Sequence, residues 1–168
     1  MAVVDTYVNS EVDAVTGTFT GNAIQAQGSG IKVVTATFIP ASGDDDGSVY
    51  RLFKDIPSNV VPLRLDVMTD GVTGMDDVDF GIYKTDKGDV VDKDILGDGL
   101  DLSSAAEYNA PLNGMNAVSK ADFGKKNLWE LLGLTMKARQ TGYDICATGN
   151  TNGSEADEVC VAFYYFTP

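Results

Sequence analysis

The chain has 168 residues and a formal net charge of −13 at pH 7, from 12 lysines and arginines against 25 aspartates and glutamates. This length predicts one domain with one core. The charge excludes a basic nucleic-acid-binding module and disfavours contact with anionic membranes. The lack of histidine excludes Ser-His-Asp and Cys-His catalysis and histidine-ligated zinc.

The composition also indicates where the chain folds and the state of its thiols. Hydrophobic residues make up 43% of the sequence, which is enough for a packed core. The N-terminus has neither a basic flank nor an apolar stretch, and no apolar run approaches the ~18 residues of a spanning helix. We therefore expect a protein that is made and kept in a cytoplasm. Cys146 and Cys160 are predicted to be free structural thiols on adjacent strands, close enough to touch.

The first 30 residues are predicted to form an extended N-terminal arm. They are rich in Thr, Asn, Ala, Gly and Gln and show no sustained period of 2 or 3.6. Such a segment cannot bury enough apolar surface alone to offset the entropy cost of ordering it. Two interpretations stay open, a frayed terminus and an arm that orders against a neighbouring subunit. In the second case the arm inserts its scattered apolar residues, including Val3, Val4, Val8, Val12, Phe19 and Ile24.

From residue 31 onward the pattern is typical of β-strands. In residues 61–69, apolar side chains alternate with Arg64 and Asp66, so one face is predicted to be core and the other wet. The acidic stretch at 43–47 is predicted to be the turn of a hairpin. Short strands spaced by roughly 8–12 residues, with Gly and Asp turns between them, favour a β-sandwich or barrel. The predicted strands are residues 31–39, 48–56, 61–69, 78–84, a short piece at 90–91, 143–148 and 158–166. The last of them is apolar on both faces, which predicts a central strand or one whose second face meets another chain.

One segment has the period of a helix instead. Ser119 and Asp122 have the spacing of a capping box, and Phe and Leu residues then recur near helical spacing up to Gly133. This pattern predicts one helix of about three turns, with Trp129 at its edge. We expect the helix to cover an open end or edge of the sheet.

The acidic clusters do not amount to a metal or catalytic site. Residues 92–101 resemble the start of an EF-hand loop, but Leu96 stands at its fifth position and Ser103 at its twelfth, where a bidentate Glu is required. The Asp-rich stretches at 44–46 and 76–79 are explained equally well as solvated turns. Neither a Gly-Lys-Ser/Thr phosphate loop nor a G-x-G-x-x-G motif is present. The sequence therefore predicts no enzyme, no metal and no cofactor.

Four segments, in this order, resemble one protein family. They are residues 45–59 (DDGSVYRLFKDIPSN), 78–83 (VDFGIY), 98–105 (DGLDLSSA) and 126–134 (KNLWELLGL). Together they are similar to the capsid decoration, or cement, proteins encoded among the head genes of tailed bacteriophages. The N-terminal 30 residues and the loop at 149–157 do not take part in the resemblance.

The resemblance implies both a fold and a role. The fold is mainly β, a jelly-roll-like antiparallel β-sandwich at residues 31–168 with one short helix, preceded by the extended N-terminal arm at 1–30. The implied role is to bind the outer surface of the shell of major capsid protein and stiffen it, on the virion exterior after assembly in the host cytoplasm. We expect the chain to act as a homodimer or homotrimer, without nucleic acid or membrane as partner. Besides the arm, the candidate contact residues are Tyr164 and Tyr165.

Two rival functions come from other classes. One is a carbohydrate-binding β-sandwich module of a phage tail or receptor-binding component, which the sandwich fold permits. The other is an acidic mimic of DNA, which the net charge alone suggests. The acidic residues lie in separate turns rather than in a continuous stripe, which disfavours the mimic.

Overall fold

The computed structural model describes residues 3, 5–7, 30–106, 111–135, 142–153 and 157–167. This part of the chain contains nine strands and one short helix. In chain order they are β1 (Asp5–Tyr7), β2 (Ile31–Phe38), β3 (Ser48–Pro57), β4 (Val61–Thr69), β5 (Val78–Lys84), β6 (Val90–Leu100), β7 (Leu112–Asn113), α1 (Leu128–Leu131), β8 (Gly142–Gly149) and β9 (Val159–Phe166).

The strands form two sheets that pack face to face. One sheet has five strands in the order β1-β3-β8-β5-β6, and the other has four in the order β2-β9-β4-β7. Strand β1 is parallel to β3, whereas every other pair is antiparallel. The pairs β2 with β9, β3 with β8, β4 with β7, and β5 with β6 are nested within one another, as in a long hairpin rolled into two sheets. This is the jelly-roll arrangement, so the predicted mainly β, jelly-roll-like sandwich with one short helix is confirmed.

The core between the sheets is built from alternate residues of the strands. In β4, Leu65 and Val67 are fully buried, whereas Arg64 is exposed, as the alternation predicts. Phe163 of β9 stacks on Phe53 of β3 with ring centroids 6.0 Å apart, so these rings join the two sheets. Strand β9 lies between β2 and β4, which confirms the prediction of a central last strand.

Two predictions about which strands pair with each other are wrong. Strands β2 and β3 are not the two arms of a hairpin, because the chain crosses between the sheets at residues 39–47. Cys146 on β8 and Cys160 on β9 also belong to different sheets, so they are not on adjacent strands. No disulfide joins them, and the Thr37 hydroxyl lies 3.4 Å from the Cys160 sulfur. Turn residues show that a chain reverses, but in a sandwich a reversal can join strands of different sheets.

The predicted three-turn helix is shorter and begins later. Residues 119–126 form turns, in which two N–H groups donate to the Ser119 carbonyl, and Gly124 then adopts a φ of 69°. A residue in this left-handed region ends a helical path. The helix α1 begins after Asn127, whose N–H donates to the Glu130 carboxylate at 2.8 Å. The apolar period therefore continues through a break that the sequence marks only with one glycine.

The short helix lies against the turn that joins β3 to β4. The N–H of Leu128 donates to the Val60 carbonyl at 2.8 Å, and the N–H of Trp129 donates to the Ser58 carbonyl at 3.0 Å. Leu128 is fully buried and belongs to the core. In this way α1 closes one end of the sandwich.

Strand β6 is much longer than the predicted piece at 90–91, and it bends over its own sheet. Its register with β5 shifts three times. Gly81 of β5 permits the close approach, because a Cβ there would overlap the backbone of Asp92 and Lys93. The first half of β6 therefore lies across the outer face of the five-stranded sheet.

We expect Phe163→Ala to lower the free energy of unfolding by about 3–5 kcal/mol, since it removes a fully buried ring that both sheets share. Phe123 is the matched control because its side chain is 45% exposed. Its replacement by Ala should change stability by no more than about 0.5 kcal/mol. Urea denaturation of the two variants measures the difference, and equal losses would contradict this description of the core.

Candidate interaction surfaces

Arg51 carries a fully buried charge on β3. Its Nε and Nη2 atoms donate to the two carboxylate oxygens of Asp5 at 2.6 and 3.0 Å. Nη1 donates to the Asp144 carboxylate at 3.0 Å and to the Lys84 carbonyl at 2.8 Å, and Nη2 also donates to the Gly88 carbonyl at 2.9 Å. These five bonds match the five N–H groups of a guanidinium. This Arg51 cluster (Arg51, Asp5, Asp144 and the two carbonyls) ties together β1, β3, β8 and the turn between β5 and β6.

The charges of the Arg51 cluster stabilise one another. Burial lowers the pKa of Arg51, but the hydrogen bonds to Asp5 and Asp144 outweigh this effect and hold the pKa above its usual range. Asp144 is fully buried, and its second oxygen accepts the N–H of Asp55 at 3.1 Å. The ring of Tyr83 lies 5.5 Å from the guanidinium carbon, which adds a cation–π contact. The cluster is therefore a permanently charged structural centre.

The predicted arm residues lie partly inside and partly outside the described chain. Residues 5–7 form β1 and pair with residues 49–51, so this piece of the arm is an edge strand of the sandwich. Val3 is 61% exposed and lines a surface depression of about 510 Å³ beside residues 44–46. The other predicted contact residues of the arm lie outside the described residues; they are Val4, Val8, Val12, Phe19 and Ile24.

The outer face of the five-stranded sheet is closed by its own chain. The hydroxyls of Tyr83 and Thr148 are hydrogen-bonded at 2.7 Å, and both residues are buried. Cys146 is fully buried beside them, and burial raises the pKa of its thiol, which therefore stays protonated. Above them Lys93 of β6 forms an ion pair with the buried Asp79 at 2.9 Å. Sequence reasoning missed this buried polar layer because its residues look like solvent-facing strand positions.

Loops from both sheets meet at one end of the sandwich. The Asn150 amide donates to the Asp77 carboxylate at 3.0 Å, and the N–H of Asn152 donates to the Asp46 carboxylate at 3.0 Å. These bonds join the loops β4–β5, β8–β9 and β2–β3, so the acidic turns hold this end together, as expected for turn residues. We call it the acidic end, and its aspartates are Asp44, Asp45, Asp46, Asp76, Asp77, Asp79 and Asp98.

The outer face of the four-stranded sheet is open. On β2, Ile31 is 58% exposed and Val33 is half-buried; they pair across the ladder with Phe166 and Tyr164 of β9, which are half-buried too. Tyr164 also pairs with Arg64 of β4, whose guanidinium carbon lies 5.7 Å from the ring centre. We call this surface the open face, and its outward residues are Ile31, Val33, Thr35, Thr37, Cys160, Ala162, Tyr164, Phe166, Arg64, Asp66 and Met68.

The two tyrosines predicted as contacts lie on opposite sides of β9. Tyr164 faces outward on the open face. Tyr165 faces the core, is 4% exposed and stacks on Phe163 with ring centroids 5.4 Å apart. The side-chain period of two in a strand puts neighbouring residues on opposite faces. The expectation that Tyr165 offers its ring to a partner is therefore corrected, and Tyr164 keeps the contact prediction.

Among the described residues, no group of three or more His, Cys, Asp or Glu side chains is placed to hold a metal ion. The EF-hand-like stretch that begins at Asp92 runs along β6 to Leu100, so it is a strand and not a loop. No helix in the described ranges is long and apolar enough to cross a membrane.

Comparisons with known proteins find likeness in structure and not in sequence. No protein-family description matches the chain, and no curated protein matches it in sequence. A chain in the structure "Capsid of Ralstonia phage GP4" aligns with a TM-score of 0.67 at 10% identity, over 98% of this chain and 99% of that one. A chain in "Cyanophage Pam1 capsid asymmetric unit" aligns with a TM-score of 0.49 at 13% identity, over 84% and 88%. The first alignment shows that the whole sandwich fold is shared with a chain of a phage capsid structure.

We expect Asp144→Asn to destabilise the protein by about 3 kcal/mol, because it leaves a buried guanidinium without its buried counter-ion. Asp5→Asn should cost less, about 1 kcal/mol, because the Asp5 side chain is 39% exposed. Asp86→Asn is the control, since it removes an exposed ion pair with Lys54 and should have almost no effect. Urea denaturation at pH 7 gives the three values, and equal losses for the first two variants would contradict the assigned burial.

Asp79 is expected to make the protein less stable in acid. Burial raises the pKa of Asp79, but hydrogen bonds from Asn150, the Gly99 N–H and Lys93 outweigh it, so the pKa lies below its usual range. A lowered folded-state pKa gives stability that is present above the unfolded pKa of about 3.9 and is lost as the pH falls through the folded value. Asp79→Asn should flatten the loss of unfolding free energy between about pH 5 and pH 3 relative to the wild type. Asp89→Asn, at an exposed position, serves as control, and an unchanged slope in Asp79→Asn would refute the assignment.

Proposed function

We propose that this protein is a structural component of a phage virion that binds the outer surface of the major capsid shell and stabilises it. Three observations support the proposal. Four sequence segments resemble phage decoration proteins, the entire fold is similar to that of a chain in a phage capsid structure, and one face of the sandwich is suited to docking. The last observation carries the proposal, because it assigns the function to a particular surface of this chain.

The open face has the composition of a protein interface. Val33, Tyr164 and Phe166 lie on it, and aromatic residues are enriched in interfaces. Arg64 lies against Tyr164 and forms an ion pair with Asp66 at 2.6 Å, so the charged groups at one side are already matched. Burying such a face does not leave an isolated charge without a partner.

The contrast between the two sheets indicates which face is available. Tyr83, Asp144 and Cys146 on the outer face of the five-stranded sheet are buried. The corresponding positions of the four-stranded sheet, such as Ile31 and Thr35, are exposed. A rigid jelly-roll with one covered face and one open face is suited to lying on a larger surface.

The net charge suits the outside of a shell. A chain with a net charge of −13 is repelled by packaged nucleic acid and does not compete with it for internal space. The same charge keeps an abundant protein soluble before it assembles. The proposed partners are therefore the major capsid protein and further copies of this chain, as a homodimer or homotrimer, and not nucleic acid or membrane.

The N-terminal arm is proposed as a second contact. Val3 is exposed next to β1, and the apolar residues of the arm that follow it in the sequence are proposed to extend the interface with a partner. A stable contact needs on the order of 1,000 Å² of buried surface. Several copies on one shell then raise the effective affinity through multivalency.

The test is to add the purified protein to capsids from a phage mutant that lacks it, followed by sedimentation and heating. The wild type should sediment with the capsids and raise the temperature at which they break. Ile31→Asp should weaken the binding by about tenfold or more, since it puts an unpaired carboxylate into the interface. Val90→Asp is the matched control, because Val90 is similarly exposed at 51% but lies on the other sheet.

Each outcome of this test has a distinct meaning. Failure of the wild type to bind capsids would reject the decoration function. Equal binding of wild type and Ile31→Asp would reject the open face as the contact, provided that both proteins unfold at the same temperature. Binding to glycans without binding to capsids would instead favour the carbohydrate-binding alternative.

A further inference from the structure

At one edge of the five-stranded sheet, β3 offers a backbone edge with which another strand can pair. The N-terminal strand β1 occupies this edge. Residues 5–7 pair in parallel with residues 49–51 of β3. Without β1, these residues of β3 would present unpaired N–H and C=O groups at the sheet edge, which readily accept another strand. β1 spans only three residues, whereas strands usually have about five or six. The backbone pairing alone is therefore a weak attachment.

The selectivity of this site comes from Arg51. The guanidinium of Arg51 is fully buried, but the Asp5 side chain that binds it is 39% exposed. The Asp5 carboxylate therefore reaches Arg51 from the surface. Lys87 adds a hydrogen bond from its Nζ to the Asp5 carbonyl at 2.8 Å. When Asp5 leaves, Nε and one N–H of Nη2 lose their acceptor, and leaving a buried charged donor unmatched is costly. The site therefore selects an extended segment that carries a carboxylate at the position of Asp5.

The chain that supplies this segment need not be the one that supplies the site. Residues 8–29 connect β1 to the rest of the sandwich, and a connection of this length can reach up to about 75 Å when extended. The closure entropy of a connection this long depends only weakly on its length. The contacts of Asp5 with Arg51 are the same in either case, which is the condition for exchange of an element between identical copies.

We infer that the β3 edge and Arg51 form an exchange site that binds the N-terminal strand of a second copy of this chain. For a tether of this length, the effective concentration of the strand at its own site is on the order of millimolar. Exchange between copies therefore dominates when the local protein concentration approaches that value, as it does in a crowded assembly. The inference concerns the chain itself and does not depend on capsid binding.

Site-specific cross-linking in the full-length chain tests the exchange. Val3 and Ser42 line the same depression, so cysteines at these two positions report where the N-terminal strand lies. Val3→Cys and Ser42→Cys are made as single variants and as a double variant, each with Cys160→Ser, since Cys160 is only half-buried whereas Cys146 is buried. The variants are refolded together at about 10 µM and at about 1 mM, values on either side of the effective concentration, and are treated with a short bismaleimide.

Exchange predicts covalent dimers between the Val3→Cys and Ser42→Cys chains, identified by mass. Their yield relative to monomer should rise by at least about tenfold between the two concentrations, by mass action. Phe123→Cys replaces Ser42→Cys as the control, because Phe123 is also exposed but precedes α1, which packs at the other end of the sandwich. Adding Asp5→Asn to the double variant should lower the links within one chain and the links between chains by a similar factor, because Asp5 makes the same contacts with Arg51 in both.

Two results would overturn the inference. In the first, the double variant links only within one chain at both concentrations, and the mixed single variants give no more dimers than the Phe123→Cys control. In the second, Asp5→Asn changes neither the links within one chain nor the links between chains, so that Arg51 does not hold the strand. Neither result bears on capsid binding, which the sedimentation experiment measures separately.

Discussion

The buried guanidinium of Arg51 fixes the relation between parts of the chain that are far apart in sequence. A charge in the interior must be matched by acceptors, and these come from Asp5, the β5–β6 turn and Asp144. Arg51 therefore needs three elements in place at once, namely β1, the β5–β6 hairpin and β8. If one of them is displaced, N–H groups of Arg51 lose their acceptors. This requirement also explains why a strand of three residues is held at an edge that would otherwise be open.

The same requirement makes the two faces of the sandwich different. The carbonyls of Lys84 and Gly88 in the β5–β6 hairpin accept from Arg51 on the outer side of the five-stranded sheet, where Tyr83, Cys146 and Thr148 are buried. Gly81 then provides the space in which β6 can lie close to β5. On the outer side of the four-stranded sheet, the charged side chains within the described residues are the paired Arg64 and Asp66 of β4. The proposed docking surface therefore lies on the sheet that does not contain Arg51.

Several strands were predictable from local apolar patterns, as in residues 61–69, where Leu65 and Val67 are buried and Arg64 is exposed, although Asp66 is buried too. β1, β7 and most of β6 were not predicted. The pairing partners of the strands could not be predicted from the sequence. Turn residues such as those at 43–47 show that the chain reverses, but they do not show whether the next strand joins the same sheet. The helix was overestimated because apolar spacing continues through Gly124, whose positive φ breaks the backbone path. Of the candidate site, Tyr164 could be found from its pattern, whereas the role of Asp5 depends on a long-range contact with Arg51 that no local motif marks.

The distribution of charge along the sandwich constrains how copies can be arranged side by side. At the acidic end the aspartates bond mainly to amides and hydroxyls, which leaves their negative charge uncompensated, and Lys93 is the cation paired there within the described residues. Around the β5–β6 turn, Lys54 and Lys84 form ion pairs with Asp86 and Asp89. Acidic ends repel one another over about a Debye length, ~8 Å at physiological ionic strength, whereas the turn region with Lys87 attracts the carboxylate-bearing N-terminal strand. In the proposed exchange, neighbouring copies therefore meet through the β3 edge, which leaves the open face clear for its proposed partner.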